Sequence, residues 1–248
     1  MILRTSAILL LAAALPLAQQ AAPADVSPRD RAYDHMLDIN VRDGLVYYNA
    51  VKASRGTLAS YIESLDVSPV AFARLPREGQ MALLINAYNA IALHTAASAY
   101  PISGRVGDFP AKSIRQLPGA FDRKHGVAGR TVSLDELERW LIDDYDDPRV
   151  IFALGRGAVG SGRLKSEAYT AVRLEAQLAD ATREFAMRAF RMDQAAGTVV
   201  VSPLYSWREK DLAAAYADKA DPAFKDRSAI ERAILALTLE HLFPSEQA

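Results

Sequence analysis

The chain has 248 residues, of which half are hydrophobic and 24% are charged, a composition typical of a globular protein. Its 29 basic and 30 acidic residues nearly cancel, and no dense run of Lys or Arg occurs, so the sequence gives no support for a nucleic-acid partner. The absence of cysteine excludes disulfides, thiolate metal ligands and a cysteine nucleophile.

The first 24 residues have the pattern of a secretory signal peptide. Arg4 provides a positive charge, residues 7–15 are apolar, and an Ala-x-Ala sequence ends at Ala24. The apolar stretch is shorter than the ~20 residues that a bilayer span needs. We therefore expect cleavage after Ala24, a mature chain of residues 25–248 without a transmembrane segment, and a periplasmic or secreted location. An uncleaved membrane anchor is the alternative.

Helical patterns dominate the first half of the mature chain. The predicted elements are a helix from Ser27-Pro28 to about residue 40, a short extended segment at 46–48, helices over 50–65 and 77–100, and a loop over 101–119. The third of these helices has no charge from Met81 to Ala97 and is apolar on all sides. A helix of this kind is buried in the core of a protein.

The second half of the mature chain combines helices with short strands. The predicted elements are a hairpin over 127–132, a helix over 134–142, strands over 150–154 and 198–202, and helices over 170–190, 208–217 and 224–242. Ser133 and Glu136 form a capping-box pattern, which marks a helix start. We also expect Trp140 and Trp207 to lie in the core. These elements predict an α+β fold, a mostly helical single domain with a small antiparallel sheet.

A glycine-rich segment matches the sequence pattern of a dinucleotide-binding turn, Gly155-x-Gly157-x-x-Gly160. Such a turn follows a strand, opens a helix directly and precedes an acidic residue at the end of the next strand, about 20 residues later. Residues 150–154 supply the strand. However, a polar stretch follows Gly160 where the helix should begin, and no acidic residue ends the next predicted strand. We therefore expect the glycine spacing to be coincidental.

Six sequence blocks occur together in this chain. They are INAYNAI (85–91), SIRQL (113–117), VAGRTVSLDELE (127–138), DPRVIFAL (147–154), SEAYT (166–170) and VVVSPLYSWREKDL (199–212). In this order they resemble the domain-of-unknown-function family 547 (DUF 547). The resemblance covers roughly residues 43–212, most of the mature chain.

The resemblance implies a site that this chain has lost. Family members typically carry His and Cys after the Asp-Pro-Arg block, a second Cys shortly afterwards, and a further His near the Asp-Glu-x-Glu helix start. Members with this set look like candidates for a thiol hydrolase with a papain- or transglutaminase-like fold. In this sequence the histidine positions hold Ile151 and Arg139, and the cysteine positions hold Arg156 and Ser161. A thiolate mechanism is impossible without cysteine.

Catalysis by another group requires a base beside the nucleophile. Ser161 is the weak candidate nucleophile, because none of the four histidines occupies a family histidine position. His94 lies on the predicted buried helix and is expected to be a core residue, whereas His125 and His241 are expected to be solvated. No His-Glu-x-x-His pattern occurs. We therefore predict no metal site and no cofactor.

Four further polar residues are candidates for ligand binding. Asn86 and Asn89 are three residues apart in an apolar helix and either hold nearby loop backbone or line an inherited cleft. Arg156 and Arg163 in the glycine-rich segment are either solvated or bind an anion or carboxylate.

The sequence thus favours an exported, catalytically degenerate thiol-hydrolase-like protein that acts as a binding or accessory module. Its partner would be a small anionic or peptide-like ligand, or another protein. The alternatives are an active hydrolase that uses Ser161 or another non-cysteine group and, ranked last, a nucleotide-binding enzyme that uses Gly155, Gly157 and Gly160.

Overall fold

The computed structural model of the chain describes residues 25–104, 107, 111–158 and 160–241. The predicted signal segment lies outside these residues. The described part is mostly helical and adds three short antiparallel hairpins, so the predicted α+β class is confirmed. Within this part, no helix combines the length and the apolar character that crossing a membrane requires.

The α-helices account for most of the ordered backbone. They are α1 (Arg31–Asn40), α2 (Tyr48–Ala53), α3 (Arg55–Ser64), α4 (Pro69–Ala73), α5 (Arg77–Ser98), α6 (Leu134–Tyr145), α7 (Val150–Ala153), α8 (Leu174–Arg188), α9 (Leu204–Trp207), α10 (Glu209–Tyr216) and α11 (Ala229–His241). Short 3-10 turns cover Ile114–Gln116, Ala217–Lys219 and Pro222–Phe224. The predicted capping box is present at α6, where Ser133 and Glu136 exchange side-chain and backbone hydrogen bonds.

The strands pair only with their neighbours in sequence. They are β1 (Val41–Arg42) with β2 (Leu45–Val46), β3 (His125–Val127) with β4 (Arg130–Val132), and β5 (Phe190–Asp193) with β6 (Thr198–Val201). All three pairs are antiparallel, and Gly129 lies in the turn of the second with a positive φ of 73°. The described residues therefore contain no parallel sheet.

Helix α5 is the centre of the larger of two hydrophobic clusters. Its side chains are buried on all sides from Met81 to Leu93, as the sequence predicts, and it packs against α2, α3 and α6. The smaller cluster lies between α8 and the C-terminal helices. Helix α7 joins the two, because Val150 and Ala153 belong to the first cluster whereas Ile151 and Phe152 belong to the second.

The prediction of a strand over residues 150–154 is wrong, because residues 150–153 form helix α7. The Asp147 carboxylate accepts a hydrogen bond from the backbone N–H of Arg149 (3.0 Å), so the Asp-Pro sequence begins a helical turn. All four residues of α7 are buried. A short apolar run has no periodicity that separates a buried strand from a buried helix, which is why the sequence misleads here.

Several other boundaries differ from the predictions. The helix expected over 50–65 is divided at Ser54, and those expected over 170–190 and 224–242 begin later, at Leu174 and Ala229. Trp140 is buried as predicted, but the prediction for Trp207 is wrong, because its side chain is 53% exposed. The four-residue helix α9 buries Leu204 and Tyr205 and leaves Trp207 on its outer side.

Candidate functional site

A cavity with a volume of about 500 Å³ lies beside the glycine-rich segment. We call residues 155–163, without residue 159, the Gly loop. The cavity is lined by the Gly loop, one face of α5, the β1–β2 hairpin and residues 100–102, 112 and 114. This volume falls in the range of roughly 300–1,000 Å³ that small-molecule sites usually have.

Asn89 and Asn86 fix the chain on the cavity side of α5. The amide of Asn89 donates to the carbonyl oxygen of Ala153 (3.0 Å) and accepts from the N–H of Gly155 (2.8 Å). Asn86 makes the same pair of bonds with Tyr169, both at 2.9 Å. Both asparagines are 2% exposed, so their amides hold loop backbone, and Asn89 in addition lines the cavity.

Arg156 is buried and supports the Gly loop from behind. Its guanidinium forms an ion pair with Glu138 of α6 and donates to the carbonyl oxygen of Ile151 (3.0 Å) and, more weakly, to that of Leu154 (3.4 Å). Burial opposes the charge, but the Glu138 carboxylate, together with Tyr88 and Asp135, outweighs it and raises the pKa of Arg156 above its usual value. Arg156 is not among the residues that line the cavity.

Glu138 is a residue that the sequence analysis does not identify as important. Its carboxylate is 2% exposed and also pairs with Arg208 (2.6 Å), which precedes α10. Two arginines therefore neutralise one buried carboxylate between α6, the Gly loop and the C-terminal helices. The sequence shows an acidic residue in the capping-box helix, but it reveals neither the burial of this residue nor its partners.

Ser161 lines the cavity but is held by the loop itself. Its hydroxyl accepts from the N–H of Arg156 (3.2 Å) and lies within donating distance of the carbonyl oxygens of Ala158 (2.8 Å) and Gly162 (3.1 Å). Of the described residues, no histidine lines the cavity or is bonded to Ser161. The side chain is thus satisfied by backbone groups and has no general base beside it.

Charged side chains lie along the cavity wall. Arg163 is 43% exposed and pairs with Glu184 (3.2 Å), while Arg188 donates to the carbonyl oxygen of Ser161 (2.9 Å). Lys112 and Asp43 also line the cavity, and neither has a hydrogen-bond or ion-pair partner in the part of the chain that is described. The wall therefore carries three cationic groups and one carboxylate.

Two glycines of the loop, Gly157 and Gly162, are required for reasons unrelated to a dinucleotide. Gly157 has a positive φ of 63°, which other residues rarely adopt. A Cβ at Gly162 would overlap the carbonyl oxygen of Phe152, whereas a Cβ at Gly155 would meet its nearest neighbours at 3.5 Å, an ordinary contact. Because helix α7 precedes the loop and no parallel sheet is present in the described residues, the context of a dinucleotide-binding turn is missing.

The histidines lie away from the Gly loop. His94 of α5 and His125 of β3 are both half-buried. His94 is thus less buried than the expected core residue, and His125 is less exposed than the expected solvated residue. Burial lowers the pKa of each, and the positive charge of Arg123 lowers both further. No group of three His, Asp or Glu side chains within the described residues is placed to hold a metal ion.

A family model described as "Protein of unknown function, DUF547" matches residues 72–186. This region contains α5, α6, α7 and the whole Gly loop. Over this region the chain is similar to the DUF547 family. No curated protein and no solved structure matches the chain.

Proposed function

We propose that the chain is an exported ligand-binding member of the DUF547 family whose thiol-hydrolase-like site has degenerated. The main support is the Arg156–Glu138 ion pair, which lies at the position that the family resemblance assigns to a cysteine. Of the two positions assigned to histidine, Ile151 is buried in the smaller hydrophobic cluster and Arg139 is exposed on α6. This arrangement offers neither a nucleophile nor a base.

The cavity supports a binding role. One wall of the cavity is formed by apolar side chains of α5, and Lys112, Arg163 and Arg188 also line the cavity. A cationic wall next to apolar surface favours a small anionic or peptide-like ligand, since guanidinium and ammonium groups bind carboxylates through charge-assisted hydrogen bonds. Arg156 supports this site indirectly by holding the Gly loop, and Asn89 anchors the segment between α7 and the loop.

A thermal-shift screen of small carboxylates, phosphates and short peptides tests the binding role. The matched variants are Lys112→Gln with Arg163→Gln, which remove two cavity charges, and Lys225→Gln with Arg31→Gln, which remove two exposed charges outside the cavity. A ligand that raises the melting temperature of the wild type and of the control, but not of the cavity variant, supports the proposal. If no ligand of any class stabilises the wild type, the binding role is refuted.

The same protein preparation tests the alternative of a hydrolase that uses Ser161. An alkyl fluorophosphonate labels an activated serine, so mass spectrometry would detect an adduct at Ser161. We expect no adduct, because the Ser161 hydroxyl is 1% exposed and bonded to backbone groups. An adduct that disappears in Ser161→Ala would instead favour the hydrolase.

Export is proposed from the sequence of residues 1–24 alone. Expression in a bacterial host followed by fractionation and N-terminal sequencing is the test. A periplasmic protein that begins near Asp25 supports cleavage after Ala24. An intact N-terminus in the membrane fraction would favour the uncleaved anchor.

A further inference from the structure

The cavity carries two charged side chains of opposite sign, those of Asp43 and Lys112. Asp43 lies in the β1–β2 turn and Lys112 in the chain that leads to the 3-10 turn at Ile114–Gln116. Neither has a hydrogen-bond or ion-pair partner among the residues that are described. By contrast, Arg163 and Arg188, which also line the cavity, both pair with Glu184.

The two groups lie in different parts of the cavity. A second cavity of about 190 Å³ adjoins the first, and Asp43, Gly44, Arg163 and Leu164 line both. Lys112 lines only the larger one. Asp43 therefore marks the end where the cavities meet. At this end Arg163 pairs with Glu184, whereas the Asp43 carboxylate has no partner among the described residues and is open to a ligand.

The surface beside these charges is apolar and aromatic. The rings of Tyr48 and Tyr100 stack with their centroids 5.1 Å apart and at 17° to each other, and both line the cavity. The small side chains of Ala92 and Ala96 leave room on the α5 wall. Leu45 lines the cavity with its side chain 73% exposed, an apolar surface that a ligand would cover.

We infer that the cavity binds a short peptide with free ends and an apolar side chain, its ammonium group facing Asp43 and its carboxylate facing Lys112. The apolar side chain packs on Tyr48, Tyr100 and Leu45. This inference rests on the proposed binding function and names its ligand class. A peptide with both ends charged matches these two groups, whereas a simple anion leaves Asp43 without a partner.

Calorimetric titration with three probes tests this inference. They are the dipeptide Leu-Phe, N-acetyl-Leu-Phe, which lacks the ammonium group, and Leu-Phe amide, which lacks the carboxylate. Hydrogen bonds to charged groups contribute enough for each missing charge to weaken binding to the wild type roughly tenfold to a hundredfold.

Two variants assign each effect to a residue. In Asp43→Asn, Leu-Phe should weaken about as much as acetylation weakens it, and acetylation should have no further effect. In Lys112→Gln, amidation should likewise have no further effect. Asp43 has a positive φ of 50°, a conformation that asparagine tolerates well, so the substitution keeps the turn. Asp226→Asn and Lys225→Gln change exposed residues outside both cavities and serve as matched controls.

The outcomes separate this inference from the proposed function. If N-acetyl-Leu-Phe binds as tightly as Leu-Phe and Asp43→Asn has no effect, the cavity is a plain anion site and the inference is wrong. The same holds if no dipeptide binds but a simple carboxylate such as 3-phenylpropionate does. If neither dipeptides nor simple anions bind, the proposed function is refuted as well.

Discussion

Arg156 and Glu138 form an ion pair in which the arginine side chain is 7% exposed and the glutamate side chain 2% exposed. The pair connects the Gly loop to helix α6, and Arg208 approaches the same carboxylate from the C-terminal side. Burial of charges is unfavourable unless each charge is paired and hydrogen-bonded. The pair therefore holds the cavity wall in place only while both partners are present.

Removal of the carboxylate should destabilise the protein strongly. Glu138→Gln leaves the buried Arg156 without its counter-charge, and breaking a buried pair costs about 3–5 kcal/mol. We expect a loss of this size in the free energy of unfolding measured with urea. Asp143→Asn in the same helix is the control for the carboxyl-to-amide change, because this side chain is exposed. A loss below about 1 kcal/mol for Glu138→Gln would contradict the structural role of the pair.

Replacement of both partners by apolar residues tests whether an unpaired buried charge or lost packing destabilises the Glu138→Gln variant. The double variant Glu138→Met with Arg156→Met removes both buried charges, and replacements of this kind are often neutral or stabilising. Arg208 is 25% exposed and can turn toward solvent. We expect the double variant to unfold at a urea concentration closer to that of the wild type than Glu138→Gln does. A double variant as unstable as the single variant would show that packing, and not the unpaired charge, causes the loss.

The two asparagines of α5 should differ in their effect on binding. Asn86→Ala leaves a buried N–H and a buried carbonyl without a partner, and Asn89→Ala leaves a buried carbonyl and a part-buried N–H; each unsatisfied buried group costs ~1–3 kcal/mol. Both variants should therefore lose about 2 kcal/mol or more in urea unfolding, unlike the exposed control Asn49→Ala. Only Asn89→Ala should also weaken ligand binding, because Asn89 lines the cavity. Equal binding losses in both variants would contradict this distinction.

Alanine substitutions in the Gly loop test the reason for its glycines. Gly155→Ala should change the melting temperature little, since its Cβ has room. Gly162→Ala should lower the melting temperature substantially, because the added carbon overlaps the backbone of Phe152. A dinucleotide-binding turn would give a different pattern, with Gly155 essential and Gly162 replaceable. That pattern would revive the nucleotide hypothesis.

His94 and His125 should make stability depend on pH. The pKa of each is below the ordinary value of 6.5 in the folded protein, so the unfolded state binds protons first as the pH falls. The stability they contribute is complete above about pH 6.5 and is lost as the pH falls through their folded pKa values. The free energy of unfolding should therefore decrease between about pH 7.5 and 5.5.

The matched experiment replaces both histidines by glutamine. The pH dependence in this window should become flatter in His94→Gln with His125→Gln than in the wild type. Burial raises the pKa values of Asp34 and Asp135, which act in the opposite sense at lower pH, so the measurement stays above about pH 5.5. An unchanged slope in the double variant would mean that these histidines keep the same pKa on unfolding.

Local signals in the sequence predict much of the fold. The capping box at Ser133 and the uniformly apolar stretch of α5 are predicted correctly because neighbouring residues determine them. The state of residues 150–154 and the exposure of Trp207 depend on distant packing partners, which a single sequence does not display. Residues 150–153 pack between two hydrophobic clusters, and no local sequence pattern indicates that packing.

The candidate site could be predicted only in part. The sequence draws attention to the Gly loop and to Asn86 and Asn89, and the structure places the loop and Asn89 at the cavity of about 500 Å³. The sequence alone does not distinguish the buried Arg156 from the exposed Arg163, because both are arginines beside glycines. The difference arises from Glu138, which lies 18 positions earlier in the chain and reaches Arg156 only in the folded protein.

The most direct test of the account is a two-dimensional NMR titration of the ¹⁵N-labelled protein with Leu-Phe and, separately, with 3-phenylpropionate. We predict saturable shifts of the amide signals of Gly155, Gly157 and Gly162, together with those of the β1–β2 turn, for at least one of the two ligands. Gly126 and Gly197 lie in hairpin segments that do not line the cavity, and their signals should stay in place. Saturating ligand that leaves the Gly loop signals unchanged, or that shifts only signals elsewhere, would contradict the claim that this cavity is the functional site.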